Sequence, residues 1–149
     1  MESEHEIQGM SGNEFALIRR FFANGYPQSA DTLLAVGDDA SIVTPPAGVE
    51  LVQSIDTQVA DVHFPAAAPA HLIAARALRC AASDLAAMGA TPPGFHLAFT
   101  LPDADSDLLE AFAAGLSLPS HHFYAQLILV VTHRVSHRCI RLGRQCRVH

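Results

Sequence analysis

Twice along this chain a short apolar run stops at a carboxylate. Leu33-Leu34-Ala35-Val36 leads into Gly37-Asp38-Asp39-Ala40, and Val49-Glu50-Leu51-Val52-Gln53 leads into Ser54-Ile55-Asp56-Thr57. Runs this short, rich in branched apolar residues, read as strands. Gly37 lets the backbone turn ahead of the acidic pair. A third carboxylate, Asp84, sits among small residues in Ser83-Asp84-Leu85-Ala86-Ala87-Met88-Gly89-Ala90, behind a helical stretch. Carboxylates and a hydroxyl at element ends are hard oxygen ligands of the kind Mg²⁺ takes together with substrate phosphates. Gly-Asp is also ordinary turn chemistry, and Asp84 also reads as a helix-end carboxylate bonded to backbone. On the residues alone both readings stand.

The rest of the chain supplies the frame. Residues 1–12 show no hydrophobic period and read as a disordered extension. Phe15, Ile18 and Phe22, with Leu17 and Phe21, recur at helical spacing behind a possible Asn13 cap. Ala40–Val43 and Val49–Ser54 flank a Pro45-Pro46-Ala47-Gly48 turn. They read as a hairpin or near neighbours, bringing Asp39 towards Asp56. Pro69-Ala70 opens an Ala- and Leu-rich helix to about Leu85, which Gly89 closes. Phe95–Leu101 alternates as a strand, and Pro102-Asp103 turns. Asp105–Leu116 is amphipathic with acids at its N-terminus, where the helix dipole favours them. Ala125–Leu129 is a last strand. This order predicts an α/β two-layer sandwich, a mixed or antiparallel sheet with helices on one face.

The motifs Val36-Gly37-Asp38-Asp39-Ala40, Ser54-Ile55-Asp56-Thr57 running on to Val62-His63-Phe64, and Ser83–Ala90 together resemble the N-terminal domain of the thiamine-monophosphate kinase family. That family belongs to the wider group of ATP-binding proteins related to aminoimidazole ribonucleotide synthetase. The resemblance runs from about Glu14 to about Leu116. It implies transfer of the γ-phosphoryl of ATP to thiamine monophosphate, with Mg²⁺ in place of a P-loop, and no Gly-x-x-x-x-Gly-Lys motif is present. It places Asp39, Ser54, Asp56 and Asp84 in the metal positions, with Asp39 and Asp84 also against the nucleotide; Asp38, by its own chemistry, is suited to an outer-shell contact or a hydrogen bond there. It places His63 against the substrate. It also implies a homodimer, since related folds pair through their N-terminal sheets. Asp39, Asp56 and Asp84 are therefore expected to converge on a shared Mg²⁺ cluster. Two positions depart from the family: Ile55, where Thr is usual, and Ala82, where Asn is usual.

Beyond Leu129 the pattern changes. Residues 1–116 hold four Arg and fifteen acids, net −11, whereas residues 117–149 hold five Arg and no acid, net +5. The five, Arg134, Arg138, Arg141, Arg144 and Arg147, fit a helical stripe. His133, His137, Cys139 and Cys146 match no paired zinc motif. The family expects Gly-Gly-Asp-Thr after the last strand, and Val130-Val131-Thr132-His133 stands there. Leu129–Thr132 can be written CTG GTG GTG ACA. Shifted to the last base of the Leu codon and carried into His133, these bases read GGT GGT GAC ACA, which is Gly-Gly-Asp-Thr. Nine Arg and no Lys agree with a GC-rich gene in which such codons are common. The expectation is a nucleotide-binding domain over 13–129, an out-of-frame basic tail over 130–149 that packs poorly, and no second domain.

Three cysteines make no disulfide framework, and no apolar stretch reaches membrane-span length, so a reducing cytoplasm is expected. Three functions compete. One is the N-terminal part of a thiamine-phosphate kinase, inactive alone and not binding nucleic acid. Another is a non-catalytic dimerising or ATP-binding module of the same fold. The third is a small basic-tailed nucleic-acid binder.

Overall fold

The computed structural model describes residues 15–101, 105–134 and 139–148. Residues 15–22 are helical (α1) and bury Ile18 and Phe22. Two short strands follow, β1 (Thr32–Leu34) and β2 (Ile42–Val43). Then come β3 (Glu50–Val59), α2 (Ala70–Ala87), β4 (Thr91–Leu101), α3 (Ser106–His122), β5 (Gln126–Arg134) and β6 (Cys139–Val148). The main sheet has the order β3-β6-β4-β5. Only β4 and β5 are parallel, and α3 is the crossover that a parallel pair requires.

Strand alternation decides which face the helices cover. Phe95, Leu97 and Phe99 of β4 are buried and alternate with half-buried His96, Ala98 and Thr100. The buried set meets Ile73, Ala77 and Leu78 of α2 and Leu109, Phe112 and Leu116 of α3 in one core. Phe112 stacks on Phe99 with ring centroids 4.3 Å apart. Gly115 permits the close approach of α3 to α2, because a Cβ there would run into the backbone of His71. Tyr26 closes the bottom of this layer, donating its hydroxyl to the Ala113 carbonyl at 3.3 Å, and burial pushes its phenol well above the usual value. The expected two-layer sandwich with helices on one sheet face is what forms.

Several boundaries differ from the sequence reading. β1 and β2 pair with each other as a separate ribbon, and β3 pairs with β6 instead of β2. β3 also continues to Val59, so Asp56 lies inside a strand and not at its end. The helix read as ending near Leu116 continues to His122 through Pro119, and Asp105 caps it by accepting from Asp107 N–H at 3.0 Å. Gly89, at φ +66, ends α2 as expected, with Ala90 N–H returned to the Leu85 carbonyl.

The largest difference from the sequence reading is in the tail. Residues 130–134 lengthen β5, and 139–148 form β6 in the interior of the sheet, paired on both sides. The backbone of β6 is thus hydrogen-bonded along both edges, where the sequence reading had no strand. Its arginines fall on strands, so the helical stripe is not made, while Arg138 and His137 lie outside the described residues. The N-terminal extension, the Asn13 cap and the Pro102-Asp103 turn also lie outside them.

Candidate metal and nucleotide site

β3 offers its even-numbered residues to the helix side: Val52 packs with Leu85 and Ala90, and Ser54, Asp56 and Gln58 follow on the same face. α2 crosses above β3. Its last turn brings Asp84 over the strand, where Ser54 Oγ donates to Asp84 Oδ2 at 3.4 Å. Asp84 is therefore on the same sheet face as Asp56, although 28 positions separate them in sequence. Asp84 stands at the negative end of the helix dipole, where a carboxylate is disfavoured unless something cationic meets it. No helical need places it there.

Asp56 is half-buried, and its Oδ2 accepts from Gln58 Nε2 at 2.8 Å. One face thus holds a hydroxyl and two carboxylates within reach of solvent, and Mg²⁺ is commonly held by one or two protein carboxylates with phosphate oxygens completing the shell. The donor set fits such an ion. Ile55 points to the other face and is 76% exposed, so its departure from the family removes no side-chain ligand from this face. Ala82 is buried in α2.

The expected three-carboxylate cluster is not assembled. Among the described residues no three His, Cys, Asp or Glu side chains group to hold a metal. Asp38 Oδ1 accepts from Asp39 N–H at 2.8 Å, which is turn chemistry, and both residues are exposed. The connection that carries them is tethered through Ser41 Oγ, 3.2 Å from His96 Nε2. His96 alternates with the core residues of β4, so this tether lies on the helix-free face. Burial lowers the pKa of the His96 imidazole. Among the described residues no hydrogen bond joins Asp38 or Asp39 to Ser54, Asp56 or Asp84, and β2 pairs with β1 and not with β3.

His63 lies just past β3. The Val59 N–H donates to His63 Nδ1 at 3.1 Å, and His63 N–H returns to the Val59 carbonyl at 2.9 Å. An accepting Nδ1 puts the proton of the neutral ring on Nε2. The exposed loop is held by Asp61, at φ 61, whose Oδ1 accepts from Ala66 N–H at 2.9 Å. Gln58 is the residue that sequence reading missed. The signal was present in Ser54-x-Asp56-x-Gln58, polar at every second position, but the strand was read as stopping at Ser54.

Residues 37–134 match the family described as AIR synthase related protein, N-terminal domain, about two thirds of the chain. The chain belongs to that family. Within it, 120 residues are 42% identical to thiamine-monophosphate kinase of Escherichia coli K12, covering 80% of this chain and 37% of that one. The crystal structure of thiamine-monophosphate kinase from Stenotrophomonas maltophilia matches with a TM-score of 0.71 at 35% identity, over 80% of this chain and 37% of that one. AaThiL complexed with AMPPCP and TMP shares the fold, with a TM-score of 0.66 at 17% identity, over 89% of this chain and 40% of that one. The chain therefore spans a little over a third of the relatives it matches. No helix among the described residues is long and apolar enough to cross a membrane.

Proposed function

We propose that this chain is the Mg²⁺- and ATP-binding N-terminal part of a thiamine-phosphate kinase, which converts ATP and thiamine monophosphate to ADP and thiamine diphosphate in the cytoplasm. The observation that carries the reading is the Ser54–Asp84 contact on the face of Asp56, within the region similar to kinases of that name. Ser54, Asp56 and Asp84 hold the metal, and Asp38 and Asp39 contribute from the exposed connection. His63 presents Nε2–H to the substrate. When bound, Mg²⁺ would neutralise phosphate charge, the main demand of phosphoryl transfer. The protein's own share is to hold its carboxylates on one face, ready for the ion.

The working unit is a homodimer. Ile55 and Leu51 leave the helix-free side of β3 exposed, and Leu51 is 39% exposed. Apolar sheet surface of this kind favours pairing with a second copy. Light scattering at high concentration should give twice the chain mass, and a clean monomer would contradict it.

Residues 130–149 are, in this reading, the product of a shifted frame that replaces Gly-Gly-Asp-Thr with Val130-Val131-Thr132-His133. The family match ends at residue 134, and residues 139–148 lie beyond it. The chain as it stands should then give no measurable thiamine diphosphate, because each missing electrostatic contact costs on the order of a hundredfold in rate. The test is to read the coding DNA and to assay both products. A second frame without Gly-Gly-Asp-Thr, or turnover by the 149-residue chain, would overturn it. Salt-sensitive DNA binding would instead favour a nucleic-acid role for the arginines.

A further inference from the structure

Gln58 is 5% exposed, in a strand whose helix-side neighbours are otherwise chosen for packing or for the acidic face. In the register it stands opposite Ile140 of β6, itself 2% exposed. Its amide nitrogen donates to Asp56 Oδ2 at 2.8 Å, and its Oε1 is buried without a hydrogen-bond partner among the described residues. Rotating the amide by half a turn would not cure this. It would set a carbonyl oxygen against a carboxylate and remove the one hydrogen bond that the group makes. A leucine or methionine of similar volume would bury well here with nothing left unsatisfied. Buried unpaired polar atoms are few in folded proteins, and each has a reason to be sought.

We infer that Gln58 is a positioning residue for Asp56, kept at a cost to fold stability so that one carboxylate oxygen is fixed and the other is aimed at the cation held with Ser54 and Asp84. The inference rests on the metal reading given above. The two residues lie two apart on one strand, so the amide reaches Asp56 without any loop that could relax. Gln58 touches no ligand itself. It holds Oδ2, and Oδ1 of Asp56 carries no hydrogen bond from a described residue. Outer contacts of this kind orient ligating carboxylates, and their loss weakens metal affinity about 10- to 100-fold.

The two roles open to Gln58 predict opposite signs. If it only supports the fold, Gln58→Leu lowers the melting temperature and leaves the Mg²⁺ response alone. If it positions Asp56, the metal-free melting temperature rises by about 3 °C, since the orphaned carbonyl is gone. The Mg²⁺ concentration that gives half of the thermal stabilisation then rises about tenfold. The experiment is a thermal melt of the full chain against MgCl₂ for wild type, Gln58→Leu, Gln58→Met and Asp56→Asn. Gln58→Met guards against a shape defect peculiar to leucine. The expected result is a right-shifted midpoint in both Gln58 variants and loss of the response in Asp56→Asn. A lost response in Asp56→Asn with an unmoved midpoint in both Gln58 variants overturns the positioning role alone. A response that Asp56→Asn leaves intact overturns the metal reading itself.

Discussion

β3 and β6 lie hydrogen-bonded side by side from Glu50↔Val148 to Val59↔Cys139, and in chemistry they are opposites. β3 carries Glu50 and Asp56 and no base. β6 carries Arg141, Arg144 and Arg147 and no acid. β3 lies inside the family match, which ends at residue 134, and β6 lies beyond it. The difference separates two things a strand does. Pairing uses backbone N–H and C=O groups that every non-proline residue has, so a strand of foreign composition can complete a sheet. A site uses particular side chains at particular positions. β3 offers candidates at 54, 56 and 58, whereas β6 sets buried Ile140 opposite Gln58 and Arg144 opposite Ser54 in the register.

The most severe way to break this comparison is to end the chain at residue 134. Among the described residues β3 pairs with β6 alone, and β4 with β6 and β5. Without β6 the outer strand has no partner in the main sheet, and the shortened chain should lose its cooperative thermal transition. A sharp melt near that of the whole chain would show that β6 is not holding β3.

A smaller loss should come from the helix layer beneath both strands. Gly115→Ala forces α3 away from the His71 backbone, and such overpacking costs about 1–3 kcal/mol. Denaturant melts should register that loss, while the Mg²⁺ midpoint stays where it is. A shifted midpoint would mean that the acidic face depends on helix spacing more than on β3.

His96 marks the helix-free side. Its imidazole titrates below the ordinary value of 6.5 because burial disfavours the charged form. Below that value the unfolded chain binds more protons than the folded one, so stability falls as pH drops through and below 6.5. Replacing His96 with Asn should flatten this part of the pH–stability curve. An unchanged slope would assign the effect to other histidines.

The slightest change is expected at Asp84. Its carboxylate opposes the C-terminal dipole of α2, so Asp84→Asn should raise the metal-free melting temperature by about 1–2 °C while weakening Mg²⁺ binding. A drop in stability would make Asp84 a structural acceptor for Ser54.

Much of the fold was legible from periodicity. α2 was bounded by Pro69 and Gly89, α3 by Asp105, and β4 by the alternation of Phe95, Leu97 and Phe99. These are local signals. What was not legible is pairing: nothing in Ile42–Val43 tells whether it meets β1 or β3, and that choice sets where Asp38 and Asp39 lie. β6 was read as a tail because arginines without an apolar stripe give no strand signal, and its place comes from the two edges waiting for it. Ser54 and Asp84 were legible as candidates because the motifs are specific, and the structure brings the two into contact. Gln58 was missed because its contact with Asp56 appears only once Asp56 is seen inside a strand and not at its end.

The central claim is that Ser54, Asp56 and Asp84 make one Mg²⁺-dependent nucleotide site on the helix side of β3. Calorimetric titration of the whole chain with AMPPCP, with and without MgCl₂, tests it most directly. The account predicts saturable binding only when Mg²⁺ is present, weakened at least about tenfold in Asp56→Asn with the fold intact. Binding of equal strength without the metal, or binding that Asp56→Asn leaves unchanged, would contradict it.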